Sequence, residues 1–159
     1  MEKAEFADRA RMAAGKMYHV TCAYLRNESD REDAIQDALL RAWQKKSGLR
    51  DERYFETWLI RILIHVCTDM AKRQRRMIPT DTLPDQPEAP KDIENIALRE
   101  MIDALEPNLR ILVVLCYVEG YELKEAAAML RLPVGTVKSR LSRARNQLRT
   151  ILEKEAATQ

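Results

Sequence analysis

Apolar positions along the chain recur at helical spacing, and nowhere do they alternate with polar ones over the length of a strand. Phe6, Met12/Ala13, Met17, Val20 and Tyr24 predict a first helix over 2–25. The pattern Ser29-Asp-Arg-Glu32 is a capping box and predicts a second helix running to Lys46, with Ile35, Leu39, Ala42 and Trp43 as its inner stripe. Ser47-Gly48 ends it. A third helix is expected from Arg53 to Arg76, with Phe55, Trp58/Leu59, Ile62/Leu63, Val66 and Met70 turned inward. Farther on, 93–105 is amphipathic, and Glu106-Pro107 opens the next helix because proline suits a first turn. Its 109–118 stretch is nearly all apolar and is predicted to be the buried centre. A short helix over 123–130 and a long one over 136–153 follow. The expected fold is all-α.

Proline divides this pattern in two. Of six prolines, Pro79, Pro84, Pro87 and Pro90 fall within 77–92, a stretch that also holds Asp81, Asp85, Glu88 and Asp92 against Lys91. Repeated proline forbids helix, and few apolar residues are present to offset the entropy of ordering. Two small helical domains are therefore expected, 1–76 and 93–159, joined by a flexible acidic linker over 77–92. The four glycines are scattered, which excludes the clustered glycines of a nucleotide-phosphate cradle. No apolar stretch approaches the roughly 18 residues of a membrane span, so no membrane insertion and a cytoplasmic location are expected. Cys22, Cys67 and Cys116 are too far apart for a C-x-x-C motif and read as buried thiols. His19-x-x-Cys22 and His65-x-Cys67 offer two ligands each where a structural zinc site takes four, so no metal and no cofactor are assigned.

Charge is where the chain departs from the ordinary. The net charge is only +2, but 131–150 carries six basic residues and no acidic one. Residues 53–76 carry six basic and two acidic residues and end in Lys72-Arg-Gln-Arg-Arg76. A short helix, a turn with Pro133 and Gly135, and a basic helix behind it make a helix-turn-helix unit, whose second helix enters the major groove. Lys138 and Arg143 can donate to guanine, and Ser139 can donate or accept. Arg140 and Arg145 serve either phosphates or the fold.

Gly135-Thr-Val-Lys-Ser-Arg-Leu-Ser-Arg-Ala-Arg145 resembles the promoter-reading helix of bacterial extracytoplasmic-function (ECF) sigma factors. Asp33-Ala-Ile-Gln-Asp-Ala-Leu-Leu-Arg-Ala-Trp43 resembles their polymerase-docking segment. Phe55-x-Thr-Trp-Leu-x-Arg-Ile62, followed by Asp69 and the run to Arg76, resembles the element that melts and reads the downstream promoter box. The resemblance covers nearly the whole chain. It implies that Asp33, Ile35, Gln36, Asp37, Leu40, Arg41 and Trp43 bind core RNA polymerase. Trp43 also lies on the inner stripe of its helix, so core packing is an equal reading there. The resemblance further implies that 47–53 is a base-capture loop, contributing Arg50 and Asp51, and that Lys72, Arg73, Arg75 and Arg76 follow downstream DNA. Thr136, Lys138, Ser139, Arg140, Ser142 and Arg143 would meet the upstream element.

Three positions depart from the family pattern. His65 stands where an asparagine is usual, either reading a base or serving structure. Glu122 takes the slot of a capping serine, and Ala126 that of an isoleucine. The implied function is to bring core RNA polymerase to chosen promoters and open them, under an anti-sigma partner, without catalysis. The rival class is a helix-turn-helix regulator that acts on DNA without docking on polymerase.

Overall fold

The computed structural model describes residues 1–77 and 96–158. The linker expected over 77–92, Met77 apart, lies outside them, as does the start of the helix expected from 93. The regular structure among the described residues is all helical, with no strand, as the periodicity predicts. The chain divides into two units, Met1–Glu88 and Ala89–Gln159.

In the first unit the helix expected over 2–25 is two helices, α1 (Lys3–Met12) and α2 (Ala14–Tyr24). They part at Ala13, whose N–H is shared between the carbonyls of Arg9 and Ala10, 3.2 Å from each. Gly15 follows at once, and glycine holds a helix poorly. Apolar spacing is blind to this loosening because the inner face continues through Phe6, Ala13, Met17 and Val20, all buried.

α3 (Glu28–Gln44) starts two residues earlier than its capping box predicts. Asn27 caps it, its side-chain oxygen accepting from the Asp30 N–H at 2.8 Å. The fully buried stripe is Arg31, Ala34, Ala38 and Ala42, while Ile35, Leu39 and Trp43 lie at its edge, half-buried. α3 packs against α4 (Phe55–Met77), with small alanine side chains on its buried stripe. α4 buries Phe55, Leu59, Ile60, Leu63, Ile64, Val66 and Cys67. Between them, two 3₁₀ turns, Lys46–Gly48 and Glu52–Tyr54, shape the loop.

The second unit begins with α5 (Ile96–Asp103) and α6 (Pro107–Val113), the latter with Pro107 in its first turn as expected. α6 widens into a π turn over Val114–Val118. Leu109, Leu112 and Leu115 are fully buried, but Tyr117 and Val118 are 50% and 44% exposed. The buried centre therefore ends before 118. The extra residue in the π turn, with Glu119 N–H on the Val114 carbonyl, rotates the apolar run out of the core. α7 (Leu123–Leu130) matches its predicted bounds. Glu122 precedes it as N-cap, and the Glu125 carboxylate accepts from the Glu122 N–H at 3.1 Å. α8 (Val134–Ala157) packs on α6 and α7, closing a core of Ile102, Leu105, Leu109, Val113 and Ala144 with Leu148 against it.

Candidate nucleic-acid interface

The helix-turn-helix forms as the sequence predicts. α7 ends in Arg131, left-handed at φ 55° and ψ 45°, and Leu132 donates its N–H to the Ala127 carbonyl at 3.0 Å. Pro133 then starts α8, with its carbonyl accepting from Thr136 and Val137. Val137, Leu141 and Ala144 anchor one face of α8 in the core. Lys138, Ser139, Ser142 and Arg143 are all exposed on the other, and Thr136 and Arg140 flank them half-buried. Among the described residues none of Lys138, Arg140 and Arg143 enters an ion pair. Three unneutralised cations and three hydroxyls thus lie on the first three turns. Asn146 lies on the same exposed face one turn on, and no motif singled it out. Arg145 belongs partly to the fold, since its guanidinium donates to the Tyr117 hydroxyl at 2.8 Å and ties α8 to the π turn.

In the first unit, α4 turns one face to its core and the opposite one to solvent. His65, Asp69, Lys72 and Arg76, spaced by four, three and four residues, make a continuous outer stripe, with Arg73 and Arg75 exposed on either side. His65 is 70% exposed, its Nε2 3.5 Å from Asp69 Oδ2. It points away from Cys67, which is fully buried, so the spacing that suggested a metal pair brings no shared site. Burial pushes the Cys67 thiol up to about 12, and Cys22 nearby adds to the shift. Gln74 faces inward and donates to Asp30 Oδ2 at 2.6 Å, pinning the basic end of α4 to the start of α3.

The loop between α3 and α4 presents Arg50 to solvent. Asp51 caps the second 3₁₀ turn, its carboxylate accepting from the Arg53 N–H at 3.0 Å and from the Arg53 guanidinium at 2.7 Å. Those bonds hold the Asp51 carboxyl below the usual carboxylate range. Tyr54 is 60% exposed beside them. Trp58 is half-buried, tilted on Phe55 at 6.0 Å.

On the outer face of α3, Asp33, Gln36 and Leu40 are exposed, Leu40 by 57%. Asp37 and Arg41 pair across one turn at 3.1 Å. Ile35 lies apart from this face, toward the core. Trp43 is half-buried and packs at the edge of the core. Its ring meets Phe6 edge-on at 5.3 Å, and the Lys46 ammonium sits over the ring, 3.1 Å from its centre.

No helix among the described residues is long and apolar enough to cross a membrane. Residues 11–77 match the sigma-70 region 2 family, and residues 95–148 match sigma-70, region 4. The ECF RNA polymerase sigma factor SigE of Mycolicibacterium smegmatis is 32% identical over 158 residues, covering 92% of this chain and 61% of its own length. The chain thus spans about three-fifths of that relative. The RNA polymerase sigma-E factor of Streptomyces avermitilis is 34% identical over 128 residues, covering 78% of this chain and 72% of its own. Two solved structures share the fold at 24% identity each. One is the sigma factor RpoE with the anti-sigma factor NepR from Bartonella quintana, at a TM-score of 0.75 over 94% of this chain and 97% of that one. The other is CnrH with the cytosolic domain of CnrY, at 0.74 over 96% and 90%. With both regions present in order and a third of the residues shared with such relatives, the chain belongs to the extracytoplasmic-function group of sigma-70-type RNA polymerase sigma factors.

Proposed function

We propose that this chain gives core RNA polymerase its promoter specificity and acts in the cytoplasm as a binding protein, not an enzyme. The observation that carries this reading is the exposed, unneutralised face of Lys138, Ser139, Ser142 and Arg143 on a helix whose other face is locked into the core. In a major groove those side chains have the donors and acceptors to distinguish base pairs. The outer stripe of α4 supplies cations for the downstream phosphates, and His65 lies among them with a ring that can meet a base edge. The 47–53 loop takes an unstacked base, which offsets the unpairing cost of a few kcal/mol and opens DNA without ATP. Asp33, Gln36, Asp37, Leu40 and Arg41 give α3 a mixed polar and apolar outer face for polymerase. That same face, or α8, would be covered by an anti-sigma partner when the protein is held inactive, as the pairing of RpoE with an anti-sigma factor suggests.

The reading is tested by mixing the chain with core RNA polymerase and weighing the product. A one-to-one complex that binds promoter DNA specifically supports it. A dimer that binds palindromic DNA and ignores polymerase points to an autonomous regulator.

A further inference from the structure

α1 lies ahead of most of the matched region 2 span, which begins at residue 11, and none of the roles above uses it. Yet it grips the loop between α3 and α4 at three points. Phe6, itself buried, meets Trp43 edge-on at 5.3 Å just before the loop and Phe55 at 5.5 Å just after it. Within the loop, the Arg9 guanidinium donates to the Glu52 carbonyl at 2.8 Å and to the Glu52 carboxylate at 3.2 Å. Its second nitrogen also holds Glu5 at 2.8 Å, which sets the fork on its own helix. A backbone carbonyl held by a charged donor fixes the path of the chain, not merely a side chain. From these contacts we infer that Arg9 is a positioning residue for the downstream-reading loop, with Phe6 setting the separation of the loop's two ends. The inference rests on the proposed role of that loop in base capture. Arg9 touches no base. It acts by holding Glu52, and through it the Asp51–Arg53 turn, in one arrangement before DNA arrives, so that less conformational freedom is lost on capture.

The test uses the full chain as wild type, Arg9→Ala and Arg9→Lys. In the free protein, amide exchange is followed at Leu49 and Tyr54, whose N–H groups bond Lys46 and Asp51 carbonyls inside the loop. With core RNA polymerase, strand opening is read as permanganate reactivity of unpaired thymines over promoters randomised in the downstream element. Arg9→Ala is expected to speed exchange at these two amides by about tenfold, the loss of one charge-assisted bond. It should cut discrimination between the preferred and next-best downstream base about three- to tenfold, with polymerase affinity unchanged. Arg9→Lys, which keeps the charge without the fork, should recover part of both effects. The inference is overturned if exchange at Leu49 and Tyr54 is unchanged, or if it rises equally across α1 to α4. It is overturned too if the loop loosens but discrimination survives. If the wild type opens no promoter with polymerase, the proposed function itself fails, and that is seen before any variant is compared.

Discussion

Two arginines do similar work in the two units, and neither reads anything. Arg31 is buried, with Nε donating to the Leu25 carbonyl at 3.1 Å, Nη2 to the Arg26 carbonyl at 3.3 Å, and Nη1 to Glu28 at 2.6 Å. Arg110 likewise donates to the carbonyls of Ile102, Asp103 and Leu105, at 3.4, 2.9 and 2.8 Å. Each guanidinium satisfies carbonyls left over where the preceding helix ends. Arg31→Met should therefore cost about 3 kcal/mol in urea unfolding, because Glu28 and the carbonyls are stranded in a low-dielectric site. A loss below about 1 kcal/mol would mean that water reaches them. Cys67 makes a prediction in pH. Its thiol is pushed up to about 12, so the folded state favours the protonated form. Its stabilising contribution is whole below the ordinary thiol range and fades as pH rises toward the folded value. At pH 8 a thiol reagent should spare Cys67 until denaturant is added, and fast labelling in the folded protein would contradict its burial.

Among the elements, the turn of the helix-turn-helix stores strain. Arg131 is the one non-glycine residue with positive φ among the described residues. Arg131→Gly should stabilise the chain by about 0.5–1 kcal/mol, since relief of left-handed crowding outweighs the entropy that glycine adds to the unfolded state. An unchanged thermal midpoint would argue that the turn is free to relax. On α3, the Asp37–Arg41 pair is solvated and contributes little stability. Replacing Gln36, Asp37 and Arg41 together by alanine should leave helix content intact and weaken binding to core polymerase. Normal competition for polymerase by that variant would mark the face as mere solvated surface. Element type and order were legible because apolar periodicity and Pro107 report directly on burial and helix starts. The break at Ala13, the start at Asn27 and the π turn were not. Each depends on how individual backbone groups find partners, and spacing is silent on that. Arg31 escaped for a related reason, since a charge on an inner stripe reads as exposed until its partners are known.

Across the whole molecule, a net charge of +2 conceals two basic surfaces, the outer face of α4 and that of α8. The motifs made both legible, and the structure adds that the cations on α8 proposed to read bases are free of ion pairs among the described residues. What motifs could not convey was the difference between neighbours such as Arg143, which projects freely, and Arg145, which Tyr117 holds. On the proposed function, α8 reads bases on behalf of polymerase. Run-off transcription over a promoter library randomised at the upstream element tests it directly, with core polymerase alone, with the chain, and with Arg143→Ala. Core polymerase alone should select nothing, and adding the chain should enrich one upstream sequence. Arg143→Ala should lose about 1–3 kcal/mol on that sequence and relax discrimination at one base position. A uniform fall across all sequences, with the selected motif unchanged, would contradict the claim.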